Sequence, residues 1–309
     1  MEVKPNILVV GSINMDLVLR SSKIPVAGES FIGKDYCYIP GGKGANQAVA
    51  AALLGASVSF AGKAGSDSNG MRLKKLLEER GISTEFLMVD QNSQTGLAVV
   101  MLEDNGQNRI VVFPGANMEI QKEDIQKAFE KSYDAVLVQL EVPTEIVIET
   151  CRLAKEKNIP VFVDAGPAQS FPLENIKGIE LLSPNESETY AMCGINVDTK
   201  ERAEEAAKIL MQRSDARFVV IKMGKDGAML YSKDKMQFYP AIKVEVIDTT
   251  AAGDAFTAAL TFEYIKHGDI ERAIKFAIIV GAITVTRLGA QPSLPNIEEI
   301  AEFIKIKGL

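Results

Sequence analysis

Short apolar runs alternate along this chain with stretches of helical spacing. The apolar runs are four or five residues long and rich in valine and isoleucine, which is typical of strands buried on both faces of a parallel sheet. We predict strands at residues 7–10, 58–61, 135–139, 161–164, 179–182, 218–222 and 244–247. The stretches between them predict helices, several of which end at a glycine. These helices cover residues 45–54, 71–80, 145–157, 201–213 and 258–265.

The alternation predicts an α/β fold with a mostly parallel sheet and helices on both of its faces. Two segments, 17–38 and 95–113, contain β-rich alternation and no helix, and Asn105-Gly106 predicts a hairpin turn between two strands. They predict a small antiparallel sheet that projects from the α/β body and needs a ligand or a partner chain on its open face. We therefore expect a body of residues 1–13, 39–94 and 114–309, and a lid of residues 14–38 and 95–113 that also forms a dimer contact.

Composition and charge exclude several classes of protein. The 309 residues carry a formal net charge of -7, which argues against a nucleic-acid-binding protein. No apolar run has the length of a membrane span, and no signal-peptide core follows the N-terminus, so we expect a cytoplasmic protein. We expect three cysteines, Cys37, Cys151 and Cys193, to be reduced and buried. His267 is the only histidine and is expected at a surface helix end, which excludes chemistry that needs several histidines.

The run from Asp248 to Phe256 carries the strongest chemical signal. It joins a predicted strand to a predicted helix, and the small residues Ala251, Ala252 and Gly253 let an anion approach the free N–H groups of the helix. Asp254 places a carboxylate beside that anion site, which suggests a base poised against a phosphoryl group. Asp248, with the two threonines after it, has a simpler interpretation as a tight turn and helix cap.

Two polar segments follow the first strand. Asn14 and Asp16 are two residues apart and face the same side of an extended segment, where they suit a polyhydroxylated ligand or form an Asx turn. The glycine-rich run around Gly42 brings Lys43 and Asn46 to a helix N-terminus; a turn with a solvated lysine is the alternative. Neither GxxxxGK[ST] nor GxGxxG is present, which disfavours a P-loop and a standard dinucleotide site.

Further polar residues stand at the ends of later strands. Glu141 and Asp164 each follow an apolar run, where a ligand-binding residue or a loop cap is expected. Asn185 and Glu188 fall on one face of a helix that begins near Pro184. That pair suits a hydrated magnesium ion or a capping box, and the sequence favours neither.

Taken together, these runs resemble the ribokinase-like (PfkB) carbohydrate kinases nearly from end to end. The matching residues are 11–16, 41–48, 141, 185–188, 248–254 and 289–293. The resemblance implies a three-layer α/β/α fold with a mostly parallel central sheet and a projecting β-sheet lid that forms a homodimer. It also implies ATP-dependent phosphorylation of D-ribose at its 5-hydroxyl. Another kinase of the family, for fructose or a nucleoside, and a non-catalytic sugar-binding protein are the alternatives.

The resemblance further implies a role for each matching residue. Asp254 is similar to the catalytic base of the family, and the anion hole corresponds to Ala251, Ala252 and Gly253. The residues that resemble the sugar site are Asn14, Asp16, Gly42, Lys43, Asn46, Glu141 and Asp254. Those that resemble the ATP site are Asn185, Lys222, Gly224, Gly227 and Gly253, with Asn185 and Glu188 placing magnesium through water. A potassium site would be formed by Asp248, Thr250, Thr284, Arg287, Gly289 and Ser293.

Overall fold

A computed structural model describes residues 4–104 and 108–309, so the predicted Asn105-Gly106 turn lies outside the described residues. The strands are β1 (Asn6–Val10), β2 (Asn14–Ser21), β3 (Asp35–Gly41), β4 (Ser57–Gly65), β5 (Ser83–Asp90), β6 (Gly96–Glu103), β7 (Asn108–Phe113), β8 (Ala135–Gln139), β9 (Val161–Asp164), β10 (Leu181–Ser183), β11 (Phe218–Lys222), β12 (Gly227–Tyr231) and β13 (Met236–Pro240). The helices are α1 (Lys43–Leu53), α2 (Ser68–Glu79), α3 (Lys122–Ala128), α4 (Thr144–Glu156), α5 (Glu186–Cys193), α6 (Lys200–Ser214), α7 (Ala252–His267), α8 (Ile270–Thr284) and α9 (Ile297–Lys307).

A nine-stranded sheet forms the centre of the body, in the order β13-β12-β11-β10-β9-β8-β1-β4-β5. The strands from β11 to β5 pair in parallel, and β12 and β13 add an antiparallel edge. Along β1, Ile7 and Val9 belong to one hydrophobic core, shared with α1, α2, α7, α8 and α9, whereas Leu8 and Val10 belong to another, shared with α3, α4, α5 and α6. Two hydrophobic cores therefore lie on opposite faces of the sheet, and the expected three-layer α/β/α fold is confirmed.

The lid is a separate four-stranded sheet in the order β3-β2-β6-β7. It is mixed: β2–β3 and β6–β7 are antiparallel as expected, but β2 pairs in parallel with β6. The parallel pair arises because β2 and β6 both leave the body at the same side, after β1 and β5. The edge strand β7 exposes Ile110, Val111, Val112 and Phe113. β3 continues past residue 38 to Gly41, and the boundaries given above for the lid stay a prediction.

Several predicted elements differ from those in the structure. Residues 244–247 form no strand, because the edge strand β13 ends at Pro240 and Val246 and Ile247 project into solvent. The helix predicted at 258–265 begins at Ala252, six residues earlier than expected, so Ala252, Gly253 and Asp254 form its first turn. Cys151 is buried as expected, but Cys37 is exposed on β3 and Cys193 is half-buried.

Two further observations concern the helices. His267 is the last residue of α7, as expected, and its Nε2 lies 3.5 Å from Glu263 Oε1. Across residues 4–104 and 108–309, no helix combines the length and the apolar character that crossing a membrane requires.

Candidate active site

The carboxyl ends of the parallel strands meet at one edge of the sheet. The chain runs outward from β1 through β4 to β5, and then from β8 in the opposite direction, so the strand order reverses between β1 and β8. Ligands of open α/β sheets bind in the crevice at such a reversal. Here the hydroxyl of Ser12, after β1, donates a hydrogen bond to Glu141, after β8.

Glycines bring helix α1 into this crevice. A Cβ on Gly44 would lie 2.7 Å from the carbonyl carbon of Gly11, so only glycine lets the first turn of α1 touch the end of β1. Gly42 caps the helix with φ 87°, a left-handed value that favours glycine. Lys43, Asn46 and Gln47 on this first turn therefore reach the polar residues at the strand ends.

The predicted sugar site contains buried polar atoms that the protein leaves unpaired. Asn14 and Asp16 lie in the ladder of β2, so their interpretation as an Asx turn was wrong. Asp16 Oδ1 and Asn46 Oδ1 are buried and have no hydrogen-bond partner among the described residues. Burial, with Glu141 and Asp254 nearby, raises the pKa of Asp16 to about 7. Such acceptors call for a ligand that donates hydrogen bonds.

Asp254 lies buried in the first turn of α7, opposite the first turn of α1. Asn46 Nδ2 donates to its Oδ2 over 2.9 Å, and Gln47 Nε2 donates to its Oδ1 over 3.3 Å. The Lys43 ammonium is 3.9 Å from Oδ1. Burial raises the pKa of Asp254, and the charge of Lys43 opposes the rise. The carboxylate is thus held in one orientation by two amides from another helix.

A second buried carboxylate, Asp164, lies behind Asp254 at the end of β9. Its Oδ2 accepts hydrogen bonds from Lys222 Nζ (3.1 Å), Thr257 Oγ1 (2.8 Å) and Gln47 Nε2 (3.1 Å). Burial acts against ionisation of this carboxyl, but the charges of Lys222 and Lys43 outweigh it and lower its pKa. Gln47 therefore bridges Asp164 and Asp254 with one amide group.

Lys43 lies among acidic side chains, so the alternative of a solvated lysine was wrong. Burial disfavours its ammonium, but the neighbouring carboxylates outweigh that effect and raise the pKa of Lys43. They are Asp254, Asp164, Glu188 and Glu141. A Cβ on Gly166 would lie 2.5 Å from Lys43 Nζ, so glycine at this position makes room for the ammonium. Lys43 thus holds a positive charge beside the first turn of α7, where the anion site is predicted.

The anion hole is predicted at the N-terminus of α7. Its first N–H groups have no acceptor one turn earlier in the helix. Ala252 N–H donates to Thr249 O over 3.2 Å, which leaves Gly253 N–H the more available of the two. Ala251 caps the helix with φ 60°, a left-handed conformation that costs an alanine about 1 kcal/mol. Lys222 Nζ lies 3.6 Å from the position that a Cβ on Gly253 would take.

Asn185 and Glu188 form a capping box at the start of α5. Asn185 Oδ1 accepts from Glu188 N and Glu188 Oε2 accepts from Asn185 N, each over 2.8 Å. Glu188 is buried, which raises its pKa, and Lys222 Nζ lies 3.9 Å from its Oε2. Within the described ranges no three His, Cys, Asp or Glu side chains cluster to hold a metal ion directly. The residues present fit a hydrated ion held through water and by a ligand's phosphates.

The loop after β11 lies beside this capping box. The backbone of Lys222 forms an isolated parallel β-bridge with Asn185, and its side chain donates a hydrogen bond to Asp164. Gly224 and Gly227 have φ of 47° and 112°, and a Cβ on Gly227 would lie 2.0 Å from Tyr239 O. These glycines shape an exposed turn in which the backbone is open to a ligand.

The predicted potassium residues are in part brought together. Asp248 Oδ1 accepts from Thr250 N (2.9 Å) and Thr250 Oγ1 (2.6 Å), and its Oδ2 accepts from Gly289 N (2.8 Å). Thr284 and Ser293 direct their hydroxyls to the carbonyls of Val280 and Ala290. The Arg287 side chain pairs with Glu299. The Arg287 guanidinium has no lone pair for a cation, so this residue could contribute only its backbone carbonyl.

Comparison with known proteins places the chain in a family. Residues 4–297 match the model of the pfkB family carbohydrate kinases. This chain belongs to the pfkB family. It is 36% identical to the ribokinase of Bacillus subtilis, over 97% of this chain and 99% of that protein. It is 33% identical to the deoxyribokinase of Salmonella typhimurium, with 97% and 99% covered.

Solved structures support the same assignment for this pfkB family chain. The structure of Arabidopsis thaliana ribokinase complexed with ribose and ATP matches it with a TM-score of 0.90 and 31% sequence identity. The match covers 98% of this chain and 99% of that one.

Some residues of this pfkB family site were missed from the sequence. Gln47 and Thr257 follow Lys43 and Asp254 by four and three positions, so helical spacing could have placed them on the same faces. Asn117 is fully buried and contacts Asn14. In the sequence, the local feature next to it is the Pro114-Gly115 pair, which is typical of a turn and does not indicate a ligand site. The contact of Asn117 with Asn14 spans 103 positions of sequence, which local patterns do not encode.

Proposed function

We propose that this chain transfers the γ-phosphoryl group of ATP to the 5-hydroxyl of D-ribose, giving D-ribose 5-phosphate. The observation that carries the proposal is the set of unpaired buried acceptors, Asp16 Oδ1 and Asn46 Oδ1, beside the Asp254 carboxylate. A polyhydroxylated ligand donates hydrogen bonds to such atoms, and one of its hydroxyls would then lie against Asp254. Relatives named ribokinase support D-ribose as that ligand.

Asp254 acts as the general base in this proposal. Asn46 and Gln47 each donate to one of its oxygens and hold the carboxylate in place, and its remaining lone pairs would accept the proton of the reacting hydroxyl. The hydroxyl oxygen bonds to the γ-phosphorus while the bond from that phosphorus to the β–γ bridging oxygen breaks. The proton passes to Asp254 and ADP leaves. Phosphoryl transfer requires positioning and charge stabilisation more than covalent chemistry, so one well-oriented carboxylate suffices.

The N-terminus of α7 stabilises the charge of the transferred group. The N–H groups of its first turn donate to phosphoryl oxygens, and Lys43 and Lys222 add positive charge on two sides. Lys222, Gly224, Gly227 and Asn185 would line the phosphates of ATP. Asn185 and Glu188 would hold magnesium through water, which would neutralise charge on those phosphates when bound.

A monovalent cation site and a dimer complete the proposal. Asp248, which already orders Thr250 and Gly289, would hold potassium together with carbonyls of the loop after α8. The exposed apolar face of β7 supports a homodimer through the lid, because an edge strand of this kind pairs readily with another chain. ATP as co-substrate and three free cysteines support a cytoplasmic location.

Turnover on a panel of substrates tests the proposed activity. ADP formation is measured with D-ribose, 2-deoxy-D-ribose, D-fructose and adenosine, with magnesium and potassium present and Asp254→Asn as the inactive control. We expect the highest kcat/KM with D-ribose. A tenfold preference for fructose or adenosine would identify a different kinase of the family. Ribose binding without ADP formation would identify a sugar-binding protein instead.

Light scattering tests the dimer. We expect a mass near twice 33.5 kDa, and a shift toward 33.5 kDa when Val111 on β7 is replaced by lysine. The control is a lysine at Met71, an exposed residue of α2 in the body. A monomeric wild-type protein would contradict the proposal.

A further inference from the structure

Asn117 lies fully buried in the turn that returns the chain from the lid to the body. Its Oδ1 accepts a hydrogen bond from Ile13 N over 2.9 Å. The two hydrogens of its Nδ2 serve three acceptors, Asn14 Oδ1 (2.7 Å), Pro114 O (2.9 Å) and Ile13 O (3.2 Å), so one of them is shared. One side chain therefore ties the end of β7 to the junction between β1 and β2, where the chain enters the lid.

The backbone partners fix which way the Asn117 amide points. A backbone N–H can only donate, so the atom facing Ile13 N must be the oxygen of Asn117. A backbone carbonyl can only accept, so the atom facing Pro114 O and Ile13 O must be the nitrogen. Only one orientation of the Asn117 amide satisfies these backbone partners.

That orientation passes to Asn14. Because the nitrogen of Asn117 faces Asn14, the atom of Asn14 that receives it must be the oxygen. Asn14 Nδ2 then points away from Asn117, and it has no hydrogen bond with any described residue. Its two hydrogens remain for a ligand, within a site where Asp16 Oδ1 offers an acceptor.

Gly96 leaves room for this contact. A Cβ at that position would lie 2.1 Å from Asn14 Oδ1 and 2.4 Å from Asn117 Nδ2. The main-chain carbonyls of Pro114 and Ile13 hold Asn117 Nδ2 in place, so it cannot move away easily. Gly96 begins β6 and pairs with Asn14 in the lid sheet, which places all three residues where the lid meets the body.

We propose that Asn117 is a positioning residue for the sugar, because it fixes the Asn14 amide with its donor side toward the ligand. A sugar hydroxyl that accepts from Asn14 Nδ2 keeps its own hydrogen to donate to a carboxylate. The wrong orientation of Asn14 would present an oxygen to that hydroxyl. This inference rests on the proposed function, since it assumes that Asn14 contacts the sugar.

A double-mutant cycle tests the inference. KM for ribose and KM for ATP are measured for Asn117→Ala, Asn14→Ala and the double variant. We expect Asn117→Ala to raise KM for ribose about tenfold, the effect of one lost hydrogen bond, and to change KM for ATP less than twofold. In the Asn14→Ala background the same change should have an effect below twofold, because the group that it positions is already absent.

A second variant reaches the same contact from the other strand. Gly96→Ala should raise KM for ribose in the wild-type background and much less in the Asn14→Ala background. The rise in melting temperature on adding ribose, measured for each variant, reports folding and binding together. Asn92→Ala, on an exposed loop between β5 and β6, serves as the matched asparagine control and should change neither KM.

The outcomes separate the two levels of the argument. The positioning role would be overturned, with the sugar site left in place, if Asn117→Ala raised KM for ribose by the same factor in both backgrounds. A rise in KM for ATP as large as the rise in KM for ribose would overturn it as well. An unchanged KM for ribose in Asn14→Ala itself would overturn the sugar site and this inference with it. Absence of ribose turnover in the wild-type protein would overturn the proposed function.

Discussion

The side-chain amide of Asn46 donates a 2.9 Å hydrogen bond to Oδ2 of Asp254, 208 positions later in the chain. The two residues belong to the first turns of different helices, α1 and α7. The sequence predicts that Asn46 binds the sugar and that Asp254 is the base. Their contact places the predicted sugar-binding residue and the proposed base in one site. A sugar held by Asn46 would have a hydroxyl within reach of Asp254.

Replacing Asp254 by asparagine should remove the proposed base. We expect kcat to fall by about a hundredfold or more, because general-base catalysis contributes that much, while KM for ATP changes little. Steady-state kinetics with ribose and ATP measure both quantities. Asp234→Asn, an exposed aspartate between β12 and β13, is the matched control. Near-normal turnover in Asp254→Asn would remove this residue from the base role.

Replacing Gln47 by leucine should affect the base without touching the substrate. Gln47 holds Asp254 and Asp164 with one amide, so its loss frees the base and leaves two buried carboxylates with fewer donors. We expect kcat to fall about tenfold, with both KM values within about threefold of wild type. Gln126→Leu, on α3 in the opposite helical layer, is the matched control. A rise in KM for ribose with unchanged kcat would show instead that Gln47 serves binding.

Replacing Asp16 by asparagine should stabilise the ligand-free protein at high pH. The folded protein holds the Asp16 proton up to a pKa of about 7, and the unfolded chain releases it near 3.8. The ionised side chain therefore reduces stability as pH rises from 3.8 to 7, and the full cost remains above pH 7. That cost is at most about 4 kcal/mol, at about 1.4 kcal/mol for each pH unit.

Denaturant unfolding at pH 8 and at pH 4 measures this effect. Asp16→Asn should raise the free energy of unfolding at pH 8 and have almost no effect at pH 4, while binding of ribose is lost. Asp35→Asn, at the exposed far end of β3, should change neither quantity. The same gain in stability at both pH values would contradict the assignment of a raised pKa to Asp16.

Replacing Asp248 by asparagine should remove activation by potassium. Asp248 orders the backbone of Thr250 and Gly289, and its charge would offset that of a bound cation. We expect wild-type turnover to rise severalfold when lithium is replaced by potassium, and the variant to show no such rise. Initial rates in the two salts at equal ionic strength give the comparison. A wild-type enzyme indifferent to the cation would refute the proposed site.

Much of the fold could be predicted from local pattern. The strands β1, β4, β8, β9, β10 and β11 were predicted because continuous apolar runs between helical stretches are typical of doubly buried strands, whereas β5 was missed. The prediction of a strand at 244–247 was wrong. An apolar alternation forms a strand only where its backbone pairs with a neighbouring strand, and residues 244–247 pair with none of the described strands. The parallel pairing of β2 with β6 was not predicted for a related reason, since it joins segments that are distant along the chain.

The sequence by itself determined the α/β class, the two polar helix starts and the position of a carboxylate next to a predicted anion site, because each depends on residues that are close along the chain. Only the tertiary structure decided how these parts face one another. The bridge of Gln47 between Asp164 and Asp254, and the orientation that Asn117 imposes on Asn14, join residues that are far apart in sequence. Such contacts depend on how strands and helices pack, and packing is a property of the whole chain.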